Sequence, residues 1–130
     1  HAAGLIEDRD YVAFYDATMA RIWILSETAR EPLTKCLCDH PKGRLLPEAE
    51  LKDLGVWFEN GQYGHLVFLM NPGIQIVPGY MGRTACAGMH GYHPSEPDSS
   101  ASITSNRPIP PAVTRIQHIH QLMLDELNLN

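Results

Sequence analysis

The sequence predicts an α+β domain: a small, mainly antiparallel sheet of about four strands, packed in two layers with two to three helices, and a long irregular loop before the C-terminal helix. Three observations predict it. Short runs rich in aromatic and β-branched residues recur in the first two thirds of the chain. Between and after them lie stretches with helical apolar spacing. Tyr80 to Pro111 carries little regular pattern and many Gly, Pro and Ser, and a structureless stretch of that length in a compact domain is usually functional or disordered.

Taken in order, "YVAFYDATMARIWIL" (Tyr11–Leu25) reads as two short strands, Tyr11–Asp16 and Ala20–Leu25, or as one long bent strand. Ser26 is placed to cap a helix that has Glu27 in its first turn and runs to about Cys38, with Pro32 near enough to the start to be tolerated. "HPKGRLLP" is a turn-rich linker. "PEAELKDLGV" then has Pro47 at a helix start, Leu51 and Leu54 at helical spacing, and Gly55 at the end. "ENGQYG" is a turn. "HLVFLM", "NPG" and "IQIVPG" read as a hairpin pairing His65–Met70 with Ile74–Val77. Pro110 and Pro111 open a last helix whose apolar stripe is Val113, Ile116, Ile119, Met123 and Leu127. On this pattern a buried Ile119 would make Ile119→Ala cost about 2–5 kcal/mol.

The totals bound the function. The 130 residues are the size of a single domain, and 44% apolar against 19% charged content marks a globular chain. A net charge of −5 without a Lys/Arg cluster excludes a general nucleic-acid binder. No apolar run reaches the length of a membrane span. The N-terminal "HAAGLIEDRD" has neither an initiator Met nor an apolar signal region, as in a mature form or a piece of a longer chain. Cys36, Cys38 and Cys86 are an odd count, which argues against a disulfide framework and for a reducing compartment; the expected location is the cytoplasm.

The stretch "AGMHGYHP" (Ala87–Pro94) holds the strongest chemical signal, His90 and His93 three apart with flexible flanks. Neutral imidazoles are good zinc ligands, but a zinc site needs three or four protein ligands. Cys86, Glu96 and Asp98 are near in sequence without a zinc-site spacing, so loop histidines bonded to backbone are the favoured reading of the residues alone. His118 and His120, two apart, point to different sides of their helix. Asp39–His40 fits a structural role at a helix C-terminus, and His65 fits a solvated strand edge. Thr18, Ser26, Ser99 and Ser100 lack a nucleophile elbow, and no Gly-rich loop ends in Gly-Lys-Ser/Thr. Asp98–Ser102 reads as a helix N-cap that can also bind an anion. Arg21 reads as a buried ion-pair partner or, less readily, a phosphate contact.

The same stretch resembles a known family. "GMHGYHP" followed by "PDSSASITSN" is similar to the C-terminal motif of type I phosphodiesterase/nucleotide pyrophosphatase proteins of the alkaline phosphatase superfamily. "NGQYGHLVFLMNPGIQIVPGYMGR" looks like the strands leading into that motif, and "YDATMARIWIL" is similar to a segment of bacterial members. The resemblance spans Tyr11 to Ile109. It implies a hydrolase in which two divalent metals, usually zinc, flank a phosphoryl group attacked by a Thr or Ser. It makes His90 a metal ligand and leaves His93 and Tyr92 as neighbours of the metal or contacts to substrate. Gly88 and Gly91 would let the backbone come close to both.

The departures from the family are equally definite. Its other ligands, an early Asp, the nucleophile and an Asp-His-Gly segment, do not occur here: Asp39–His40 is not followed by Gly, and Thr18 lacks the expected setting. The resemblance therefore implies a C-terminal portion of a longer α/β metallohydrolase, with no catalytic residue of its own. It would supply one ligand and part of the wall of a phosphoester pocket, depend on an N-terminal catalytic core of the same protein, and be inactive alone. On that expectation the Tyr80–Ser105 loop is poorly ordered or leans on a neighbour. The alternative is a non-catalytic α+β binding module, in which the loop is ordered and His90 bonds to protein groups. A third expectation is a homo-oligomer sharing zinc through His90, His93 and a second copy.

Overall fold

The computed structural model describes residues 4–129 and divides the chain into two compact units, His1–Ser100 and Ala101–Asn130. In the first, strands β1 (Tyr11–Tyr15), β2 (Met19–Ile24), β3 (Gly43–Leu45) and β4 (Leu66–Met70) form one antiparallel sheet in the order β1-β2-β4-β3. Helices α1 (Arg30–Cys38) and α2 (Glu48–Asp53) accompany it, and α3 (Ile116–Leu127) belongs to the second unit. The α+β class read from the sequence is the observed one.

β1 and β2 pair because both runs are β-formers and Asp16 closes the connection between them. Asp16 Oδ1 accepts the Ala17 N–H at 2.8 Å, and the Asp16 N–H reaches Met19 O at 2.8 Å. The register sets Tyr11 opposite Ile24 and Phe14 opposite Arg21. With a side-chain period of two, one face of the sheet gathers Tyr11, Ile22 and Ile24 together with Ala20, Phe68 and Met70. The other gathers Val67 and Leu69.

Ala29, Leu33 and Leu37, four apart, dock α1 on the first face, after a 3-10 turn over Glu27–Ala29. Leu51 docks α2 on the second face against Leu46, Val67 and Leu69. α2 stops at Gly55, whose φ of +72° suits only glycine well. The Val56 N–H turns back to Leu51 O and the Gly55 N–H to Lys52 O, a Schellman closure with the matching Val56–Leu51 apolar contact.

Several local expectations are corrected. "HPKGRLLP" is not a linker throughout: Gly43–Leu45 adds edge strand β3 to β4. Ile74–Val77 is not a strand and does not pair with Leu66–Met70, whose neighbours are β2 and β3. Ile74 and Ile76 instead pack on the Ala20–Phe68–Met70 cluster. Ser26 stands before the 3-10 turn, but its hydroxyl pairs with Thr28 Oγ1 at 2.8 Å and caps no backbone N–H. Asp98–Ser102 starts no α-helix; a 3-10 turn spans Pro97–Ser99.

The last helix begins at Ile116, beyond the two prolines, and none of its described residues is buried. Ile119 is half-buried and Ile116 is 83% exposed, so the full cost expected for Ile119→Ala does not apply. By contrast Phe68 is 3% exposed. Phe68→Ala is expected to lower stability by about 3–5 kcal/mol, and Ile116→Ala to change it by no more than about 0.5 kcal/mol. Chemical denaturation of both variants checks this, and equal losses would contradict the core described here.

Candidate functional site

The motif stretch is placed by the β1–β2 connection. Ala17 and Thr18 are 4% and 5% exposed, so their polar groups need protein partners. Ala17 O accepts the Ile76 N–H at 2.7 Å, and Thr18 O accepts the Met70 N–H at 2.8 Å. The Thr18 hydroxyl donates to Gly91 O at 2.9 Å, a bond spanning most of the unit's sequence. Thr18, considered above as a nucleophile, thus holds the loop in place. Gly91 sits at φ +94°, and a Cβ there would lie 3.0 Å from Thr18 Oγ1, so the close approach and the backbone angle both select glycine.

The neighbours of Gly91 have distinct settings. Tyr92 is half-buried against the Ala20–Phe68–Met70 cluster, and its hydroxyl donates to Ile74 O at 3.2 Å. His93 is half-buried. Its Nδ1 accepts the Ser95 N–H at 3.2 Å and lies 2.6 Å from Ser95 Oγ. Acceptance from a backbone N–H puts the proton of a neutral ring on Nε2. Nε2 lies 2.7 Å from Glu50 Oε1, yet off the line of a directed hydrogen bond. Arg44 grips both oxygens of Glu50, at 2.7 and 2.6 Å. The Arg44 hydrogen bonds, first, and then the Arg44 charge hold the Glu50 carboxyl below the usual glutamate range. Ser95, His93 and Glu50 form a chain of contacts, but with Glu50 neutralised by Arg44 the chain acts as a clamp between the loop and α2.

His90 is exposed and has no hydrogen-bond or ionic partner among the described residues. Gly88 is exposed, with open space where a Cβ would stand. Among the described residues no three His, Cys, Asp or Glu side chains gather to hold a metal. His90 alone falls short of the three or four donors of a zinc site, so no catalytic step is derived through a metal.

Three other histidines have structural contacts. The His65 Nδ1 accepts the Ile24 N–H at 2.9 Å, which extends the β2–β4 pairing; His65 is more than a solvated edge. The His40 ring meets Phe68 edge-on at 5.4 Å. His118 Nδ1 accepts the Thr114 N–H at 3.2 Å ahead of α3, and His120 is exposed. Arg21 is in no ion pair among the described residues, contrary to the structural pair expected of it. Its guanidinium lies over the rings of Phe14, Tyr63 and Trp23, at 4.6, 4.9 and 5.8 Å from their centroids. The sequence signal was there in the Phe14 and Trp23 positions, but it needs the strand register to be read.

Two outcomes follow. Thr18→Val is expected to cost about 0.5–1.5 kcal/mol and to speed amide exchange at residues 91–93; unchanged exchange would show that the hydroxyl does not hold the loop. Because the folded-state pKa of Glu50 is lowered, its contribution to stability is present above the ordinary value of 4.5 and is lost as pH falls through the lowered value. A Glu50→Gln variant is therefore expected to show a flatter loss of stability on acidification below 4.5, and parallel profiles would contradict the clamp. Comparison of the chain with protein-family models, with curated proteins and with solved structures finds no significant match.

Proposed function

We propose that this chain is the C-terminal portion of a metal-dependent phosphodiesterase or nucleotide pyrophosphatase, that His90 supplies one ligand to a divalent metal, zinc foremost, and that the remaining ligands and the nucleophile lie on residues outside it. The observation that carries this reading is the contrast within the motif. Gly91, Tyr92 and His93 are each tied to the body by hydrogen bonds or packing, while the imidazole beside them is left free. A fixed backbone bearing an unengaged imidazole suits a ligand delivered to a site built by another part of a protein. The resemblance of "GMHGYHP" and its flanks supplies the reaction class, hydrolysis of a phosphoester. Tyr92 and His93 take part by holding the loop, and Gly91 by allowing Thr18 to approach it. The three unpaired, exposed cysteines suit a reducing compartment such as the cytoplasm.

A second reading, a non-catalytic interaction module, is favoured by one observation: α3 leaves Ile116, Met123 and Leu127 exposed along one stripe. The zinc-sharing homo-oligomer is less suited, because His93 already faces Ser95 and Glu50.

The test uses the polypeptide that includes this chain and the residues preceding it. His90→Ala is expected to lower hydrolysis of bis(p-nitrophenyl) phosphate by about a hundredfold or more and to reduce bound zinc, with the circular dichroism spectrum unchanged. Full activity and full zinc content in the variant would overturn the ligand role and leave the interaction module as the better reading.

A further inference from the structure

The chain has 15 acidic residues against 10 basic ones, and Arg9, Arg30, Arg44 and Arg107 each hold a carboxylate, while the exposed Arg83 holds none among the described residues. Arg21 holds none among the described residues. The residue is half-buried, its Nε is buried without a hydrogen-bond partner, and its terminal nitrogens make no hydrogen bond among the described residues. The guanidinium is positioned all the same. Phe14, directly opposite on β1, Trp23 and Tyr63 surround it.

Those rings are themselves fixed. Trp23 Nε1 donates to Gly61 O at 2.9 Å, and the Tyr63 hydroxyl points at Met19 Sδ at 3.8 Å. Tyr80 stacks on Phe14 with centroids 4.3 Å apart, is held by its N–H on Tyr15 O, and is 79% exposed. Ring faces favour the cation and fix its plane, but they satisfy none of its N–H donors. A planar fork of donors, oriented in advance and partly removed from water, matches an oxyanion bound through two oxygens.

We propose that Arg21 and the rings of Phe14, Trp23 and Tyr63 form a binding site for an oxyanion, the phosphate or carboxylate group of a ligand. The site does not depend on the His90 reading, since none of its residues belongs to the motif loop. It goes beyond the phosphoester reading by naming a second point at which an anionic group is held.

Trp23, beside the guanidinium, is the reporter, and Trp57→Phe removes the other tryptophan. The 130-residue chain carrying Trp57→Phe is titrated with sodium phosphate at constant ionic strength, and in parallel with sodium acetate and sodium chloride. The proposal expects a saturable fluorescence change with phosphate or acetate and none with chloride. Tighter saturation by phosphate assigns a phosphate-bearing ligand; tighter saturation by acetate assigns a carboxylate. Arg21→Met is expected to abolish the response with an unchanged far-ultraviolet spectrum. Arg21→Lys keeps the charge over the rings and loses the fork, so it is expected to weaken binding about tenfold; it decides the matter if the Met variant does not fold. Saturation by chloride to the same degree, no saturation by either oxyanion, or an undiminished response in Arg21→Lys would each overturn the site.

Discussion

The connection between β1 and β2 is buried, and the rest of the first unit is arranged around that constraint. A hairpin turn ordinarily faces water, which satisfies its backbone. Here the carbonyls of Tyr15, Ala17 and Thr18 and the hydroxyl of Thr18 have protein partners instead: the N–H groups of Tyr80, Ile76 and Met70, and Gly91 O. Leaving such groups unpaired away from water costs more than a typical hydrogen bond contributes. Segments with almost no secondary structure are therefore led back, one after another, to the same short stretch of chain. Gln75 adds a side-chain substitute for strand pairing, exchanging two hydrogen bonds with the Cys86 backbone at 2.8 and 3.0 Å.

This arrangement divides the motif loop by task. Tyr92 fills a place on the face of the sheet that Ala20, Phe68 and Met70 form, and His93 reaches across to α2 through Glu50. Between them, Gly91 accepts the Thr18 bond. What remains is His90, presented but not engaged. On the opposite face of β2, Arg21 is presented in the same sense, its plane fixed by rings and its terminal nitrogens free. One strand thus supports two unengaged groups of different chemistry, an imidazole by way of the loop that β2 backs and a guanidinium directly.

Where the sequence was legible, local chemistry decided the structure. The strand runs of β1, β2 and β4 are dense in β-branched and aromatic residues, and α2 is bounded by Pro47 and Gly55. β3 was not legible because it is three residues long and takes its structure from β4, with Gly43, Arg44 and Leu45 opposite Met70, Leu69 and Phe68. Ile74–Val77 misled because an apolar alternation after a turn reports burial, and burial is what Ile74 and Ile76 achieve, without strand pairing. In the candidate site, His90 and Gly91 were visible as a motif. The clamp on His93 was not, because Glu50 and Arg44 lie far upstream and no local spacing ties them to it. Arg21 was visible as an oddity within a strand, but its three rings come from separate parts of the chain.

The buried turn holds the irregular segments, and residue-resolved amide hydrogen exchange on the 130-residue chain reads this out. The Ile76 and Tyr80 N–H groups lie outside every helix and strand, yet bond to Ala17 O and Tyr15 O. Both are expected to exchange as slowly as the amides of β2, through the same opening of the sheet. Exchange of Ile76 and Tyr80 at the rate of the exposed Gly88 amide would contradict it, and with it the placement of the loop that carries His90.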